Sequence, residues 1–210
     1  LSKVFSKYPI EAIFHFAGYI AVGESMQEPT LYFQNNTVAT LNLLDEARAY
    51  DVKKIIFSST AAVYGDPIKT PIPEDHPKKP TSVYGESKLM VEAMLKWYQQ
   101  IYGTNFVALR YFNACGAALD GSMGESHNPE THIIPRAILS LLHNEPFTLF
   151  GTDYKTPDGT CVRDYIHVLD LVEAHILALK KLEKDAGGFQ YNVGTGKGYS
   201  NKEVLEMIKK

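Results

Sequence analysis

Short apolar runs alternate along the chain with stretches in which apolar side chains recur at helical spacing. Ala12-Ile-Phe-His-Phe-Ala17, ending at Gly18, suits a central parallel strand, with His15 a packed core histidine. Lys54-Ile-Ile-Phe-Ser-Ser-Thr60 and Phe106-Val-Ala-Leu-Arg-Tyr-Phe112 read as further strands of the same kind. Val38, Leu41 and Leu44 mark a helix between Thr30 and Tyr50, and Met90, Ala93, Met94, Trp97 and Ile101 mark the buried stripe of another. Strands alternating with helices predict an α/β fold with a doubly wound parallel sheet, whose ligands bind beyond the carboxyl ends of the strands.

After Asn113 the pattern changes. Ala117 to Thr131 is polar, and Ile133 to Leu142 reads as a helix with Pro135 in its first turn. Phe147–Phe150, Cys161–His167 and Phe189–Val193 read as short strands. Leu171, His175, Ala178 and Leu182 mark a helix, and Ser200-Asn-Lys-Glu203 forms a capping box that opens the last one. Gly65 to Pro80 carries Pro67, Pro71, Pro73, Pro77 and Pro80, which forbid long regular structure and predict a loop lying over the site. Gly194-Thr-Gly196-Lys-Gly198 looks like a phosphate cradle, but Tyr199 stands where the dinucleotide fingerprint needs its third glycine, and Tyr191 breaks the phosphate-loop pattern. It reads as a tight turn.

Composition narrows the partners. A net charge of −3 without a basic stripe argues against nucleic acid. No apolar run has spanning length and no secretory signal is visible, so the reading is a soluble cytoplasmic protein with no membrane contact. Cys115 and Cys161 lack metal-ligand spacing and read as reduced and buried, so no metal site is expected. Asn36 matches a glycosylation acceptor by chance.

The chemistry gathers at Tyr84 and Lys88. Four residues apart, they share one helix face, and an ammonium beside a phenol favours the phenolate, a base at neutral pH. The strand ending in Ser58, Ser59 and Thr60 supplies a hydroxyl donor, and Asn113 should face the same cleft.

These residues resemble the extended short-chain dehydrogenase/reductases and, within them, the UDP-galactose 4-epimerases. The likeness runs through Phe16-Ala-Gly18, Val22-Gly-Glu-Ser25, Phe57-Ser-Ser-Thr-Ala-Ala-Val-Tyr-Gly65, Tyr84 with Lys88, Arg110-Tyr-Phe-Asn113 and Val162-Arg-Asp-Tyr-Ile-His167. It implies a Rossmann-like NAD-binding domain over 1–113 and, over 114–210, mainly a smaller substrate-binding lobe interleaved with it. It implies Tyr84 as catalytic base, Lys88 on the nicotinamide ribose and Thr60 in place of a usual serine. Phe16, Ala17, Asn35, Ser58 and Phe112 would line the NAD with Tyr84 and Lys88. Asn113, Thr131, His132, Ile133, Thr148, Leu149, Phe150 and Arg163 would hold the UDP-sugar with Thr60. Ile20 stands where many members have lysine, and His132 where a common form has asparagine.

The resemblance also implies a homodimer through the helices matching Thr30–Tyr50 and Ser87–Tyr102. The reaction implied is reversible oxidation at C4 of the sugar, interconverting UDP-glucose and UDP-galactose. A 4,6-dehydratase of the same superfamily would carry an Asp-Glu pair where Ala61 and Ala62 stand. A catalytically silent nucleotide-sugar-binding protein would not need Tyr84 and Lys88 intact. A glycine-rich turn normally opens such a fold, whereas this chain opens with Leu1-Ser-Lys-Val-Phe5 in a helix and closes inside another. It reads as the middle of a longer protein, and residues 1–210 alone are expected neither to hold NAD nor to epimerise.

Overall fold

The computed structural model describes residues 1–209. Its strands are β1 (Ala12–His15), β2 (Lys54–Thr60), β3 (Asn105–Tyr111), β4 (Asn113–Cys115), β5 (Val162–His167), β6 (Gly188–Val193) and β7 (Gly198–Ser200). The chain forms two compact units, one of Leu1–Tyr111 with Glu173–Val193, the other of Phe112–Val172 with the segment from Gly194 onward. Residues 173–193 thus lie with the first unit, because β6 pairs parallel with β3.

The first unit is an all-parallel sheet in the order β1-β2-β3-β6. Ile55, Ile56 and Phe57 are all buried, as a strand covered on both faces requires. Leu44, Ile55, Phe57, Val91, Leu95, Phe106 and Ala108 form one core cluster, and Phe5, Ala47 and Val52 form another. The helix expected between Thr30 and Tyr50 is interrupted. Pro29–Tyr32 is α-helical, Phe33–Val38 is a π-turn, and the α-helix resumes over Ala39–Ala49.

The expected buried stripe of the Tyr84 helix, Val83–Tyr102, is corrected by the structure. Trp97 and Ile101 are each 63% exposed and Met90 is exposed too, while Lys88, Val91, Glu92 and Leu95 face inward. Two stripes compete on this helix, and the inward one carries charged residues that disguise it. Glu92 is buried because Arg110 on β3 meets it with two parallel bonds, Nε to Oε1 at 2.9 Å and Nη2 to Oε2 at 2.7 Å. Val38 and Leu41 likewise face solvent, and only Leu44 of that expected stripe is buried.

Gly65 to Pro80 forms a loop without strand or α-helix. It is tied to the sheet by polar side chains. Arg110 Nη1 donates to Glu74 O at 3.1 Å and to the Tyr64 hydroxyl at 2.7 Å, and Tyr64 donates to Asn192 Oδ1 at 2.6 Å. Asn192 Nδ2 donates in turn to Ile72 O at 2.8 Å.

The second unit holds a sheet in the order β4-β5-β7, with β4 parallel and β7 antiparallel to β5. Ile133–Leu142 is helical, and the Ser200/Glu203 capping box opens Asn201–Ile208. Phe147–Phe150, expected as a strand, joins no ladder.

Candidate active site

Tyr84 sits in the first turn of its helix, whose N-terminus is capped by Ser82 accepting from Gly85 N at 3.1 Å. Gly85 permits a close approach here. A Cβ at this position would stand 2.7 Å from Ala62 O, so any side chain would push the helix start off the turn that follows β2. That contact sets Tyr84 beside Thr60. The Thr60 hydroxyl accepts from Ala62 N at 3.1 Å, which leaves its proton available to the neighbouring phenol, whose pKa it draws down.

Lys88 is 3% exposed, and its ammonium donates to Ser58 O at 2.9 Å over the Phe57 ring. Burial lowers its pKa to about 8. Burial also raises Tyr84 above the ordinary phenol value, with the Thr60 hydrogen bond acting in the opposite direction. The ammonium donates to a backbone carbonyl and is disfavoured by burial, yet a pKa of about 8 leaves it charged at neutral pH, one helical turn from Tyr84.

β1 ends at His15, so Phe16 and Ala17 project past the strand, both exposed, with the Phe16 ring 57% open to solvent. The Phe16 ring centre lies 4.8 Å from that of His175, a buried histidine that also contacts the Tyr111 hydroxyl. Ser58 is buried, Asn35 half-buried. His15 is a core residue, as expected. The Thr40 hydroxyl donates to Asn36 O at 2.6 Å, so His15 Nε2 must be the donor in its 2.7 Å bond to Thr40. Burial, and then the nearby Lys88 charge, hold this imidazole down at about 4, hence neutral.

The residue that sequence reasoning passed over is Asn36. It is 2% exposed, which removes it from consideration as a glycan acceptor. Its amide donates to Tyr19 O at 3.0 Å and to Ser87 Oγ at 3.1 Å, while its Oδ1 accepts from Tyr19 N at 2.8 Å. Asn36 thus pins the segment after β1 to the Tyr84 helix, one residue before Lys88. It lies in the π-turn, a feature that often marks functional sites. The visible signal was the polar run Asn35-Asn36-Thr37 inside an otherwise amphipathic helix.

In the second unit, Asn113, Thr131, His132, Ile133 and Arg163 line a single cavity of about 260 Å³, together with Cys115, Glu125 and Tyr165. Asn113 Nδ2 donates to Asp164 O at 2.9 Å, and Arg163 Nη1 donates to Val162 O at 3.0 Å. Asp164, the obvious partner for Arg163 in a plain surface pair, is engaged elsewhere. Its carboxylate accepts from Thr195 N at 2.9 Å, Thr195 Oγ1 at 2.7 Å and Gly196 N at 2.8 Å. The same contacts explain why the glycine-rich turn is no phosphate cradle: its amides already hold a carboxylate. Thr148, Leu149 and Phe150 do not line the cavity, and Thr148 and Phe150 are exposed. Phe112 is half-buried and opens the second unit.

The model of the NAD dependent epimerase/dehydratase family matches residues 1–194. Over 210 residues the chain is 48% identical to the UDP-glucose 4-epimerase of Halalkalibacterium halodurans, covering all of this chain and 63% of that protein. The UDP-glucose 4-epimerase of Streptococcus mutans is 48% identical, with all of this chain and 64% of that protein covered. Among solved structures, UDP-glucose 4-epimerase from Brucella ovis in complex with NAD superposes with a TM-score of 0.94 at 46% identity, covering 98% of this chain and 63% of that one. The Bifidobacterium longum enzyme in complex with NAD+ and UDP gives 0.93 at 42% identity, covering 98% and 62%. The chain therefore spans somewhat less than two thirds of the length of these relatives.

Proposed function

Because the chain belongs to the NAD dependent epimerase/dehydratase family, we propose that it carries the proton-transfer and substrate-gripping residues of a UDP-sugar 4-epimerase that interconverts UDP-glucose and UDP-galactose. The observation that carries this reading is the close approach of Gly85 to Ala62 that sets Tyr84 at Thr60, with the buried Lys88 one helical turn on. Tyr84 takes the proton of the C4 hydroxyl, and Thr60 holds the phenol oxygen in place. NAD, when bound, would supply the acceptor and donor for the C4 hydride.

Lys88 keeps donors beyond the one spent on Ser58 O, which suits a ribose hydroxyl. The bared Phe16 and Ala17 suit the flat face of a nicotinamide, with Asn35, Ser58 and Phe112 completing that group. Asn113, Thr131, His132, Ile133 and Arg163 share a cavity, which supports them as the nucleotide grip, with the Arg163 guanidinium for the diphosphate. Thr148, Leu149 and Phe150 enter this proposal on the resemblance alone.

A 4,6-dehydratase fits less well. The turn after Thr60 begins Ala61-Ala62, and no carboxylate stands there for elimination. The exposed Met90, Trp97 and Ile101 with Val38 and Leu41 give the two helices an apolar surface suited to homodimer pairing. No helix among the described residues is long and apolar enough to cross a membrane, and the free Cys115 and Cys161 suit a reducing compartment, the cytoplasm.

The test is turnover, by the NAD-loaded full-length protein, of UDP-galactose carrying deuterium at C4. UDP-glucose that keeps the label on the sugar supports the reading. Loss of label to solvent, or no product, contradicts it.

A further inference from the structure

We propose that the loop Glu125–His132 is a binding site for one divalent transition-metal ion of the zinc type, held by Glu125, His127, Glu130 and His132. One ligand atom from each of these four residues lies within 4.8 Å of all the others. Glu125 Oε1 is 2.6 Å from His132 Nδ1 and 3.2 Å from His127 Nδ1. Glu130 Oε1 is 3.1 Å from His132 Nδ1, and Glu130 Oε2 is 3.5 Å from His127 Nδ1. Donors bound at about 2.0–2.1 Å around a tetrahedral ion stand roughly 3.4 Å apart. The four atoms reach that spacing with shifts well within the freedom of loop side chains.

The donor chemistry selects the ion. Two imidazoles with two carboxylates suit zinc, nickel or copper, whereas magnesium and calcium prefer oxygen ligands throughout. The charge also fits, since Glu125 and Glu130 bring two negative charges together and form their ion pairs with these two histidines. A divalent ion neutralises both carboxylates while each ring carries its proton on Nε2.

The site is partly built in advance. Glu130 is oriented by backbone donors, accepting from Thr131 N and His132 N at 2.8 Å each. Its side chain is 9% exposed while those of His127 and His132 are 44% and 43% exposed, which leaves a path for the ion on the imidazole side. All four ligands fall within eight consecutive residues, so closing the ring costs little chain entropy. Glu125 and His132 also line the cavity of this unit, so a bound ion would fix the segment that carries Thr131 and His132 to its wall.

The experiment is calorimetric titration of tag-free, chelator-stripped protein with zinc chloride, repeated on Glu125→Gln and His127→Gln and with magnesium chloride in place of zinc. The parent is expected to bind about one zinc per chain and no magnesium, and each variant to lose about 10-fold or more in zinc affinity. His127 is exposed enough for its variant to fold, which circular dichroism of both variants verifies. Cobalt, substituted for zinc, should give the visible bands of a tetrahedral nitrogen and oxygen site. No stoichiometric zinc in the parent would mean that the imidazoles merely donate Nδ1–H to the carboxylates. Equal affinity in parent and folded variants would put the ion elsewhere, and either result overturns the proposal.

Discussion

The two units of this chain treat polar side chains in opposite ways. Around Tyr84 polar groups are sunk in the protein: Asn36, Ser58, Ser59, Thr60, Lys88, Glu92 and Arg110 are all buried, and each charged or amide group among them has fixed partners. In the second unit the buried side chains among the described residues are Ala137, Thr160, Ile166 and Ser200, and the cavity wall is made largely of half-buried or exposed groups such as Thr131, His132 and Arg163. Burying charge is costly unless every partner is in place, and the return is a rigid, low-dielectric setting in which a proton can be moved. A grip on a charged ligand needs less preparation, since solvated donors hold a diphosphate on arrival.

The comparison breaks most readily at Glu92. Glu92→Ala leaves Arg110 buried without its carboxylate, and a stability loss of roughly 3–5 kcal/mol is expected in urea unfolding. A loss below about 1 kcal/mol would show that the network is a passenger of the packing.

Lys88 gives the next effect, with the opposite sign. Its folded pKa of about 8 lies below the ordinary lysine value of 10.5. The folded state therefore binds this proton less tightly than the unfolded chain, so stability is withheld below pH 8 and recovered between pH 8 and 10.5. Lys88→Met should be more stable than the parent at pH 7, by roughly 1–3 kcal/mol once the bond to Ser58 O is discounted. The gain should fade as pH rises through that window, while activity falls. A variant destabilised equally at every pH would mean that Lys88 is held for structure.

For the exposed half, Arg163→Ala should weaken UDP binding by about 2 kcal/mol, roughly 30-fold, with stability unchanged. Titration calorimetry with UDP measures the first, and undiminished affinity would return Arg163 to the surface. The smallest effect on folding is expected at Trp97. Trp97→Glu should alter unfolding stability by no more than about 0.5 kcal/mol, yet move the protein from dimer to monomer in sedimentation. A variant that stays dimeric would put the interface elsewhere.

What was legible in the chain followed the strength of its periodicities. The central strands announced themselves because Ile55–Phe57 of β2 and Phe106–Leu109 of β3 are unbroken apolar runs, and the capping box at Ser200 because its two bonds are local. The Tyr84 helix was legible as a helix but not in orientation. Its inward face carries Lys88 and Glu92, which are tolerable inside only because Ser58 O and Arg110 arrive from strands distant in sequence. Asn36 was hidden for the same reason, since its partners at Tyr19 and Ser87 lie 17 and 51 residues away. Phe147–Phe150 had a strand's composition, but a ladder needs a partner strand, which no local pattern reports. In the site, the spacing put Tyr84 and Lys88 on one helix, but it does not reveal what a lysine already bonds, here Ser58 O.

The central claim is that Tyr84 moves the C4 proton of a nucleotide sugar. Its most direct measurement is the UDP-galactose turnover of Tyr84→Phe in the NAD-loaded full-length protein, beside its affinity for UDP. The account predicts a fall in kcat of at least about 10²-fold with UDP affinity retained, since the ring stays and only the hydroxyl is lost. Near-normal turnover in the phenylalanine variant would contradict it.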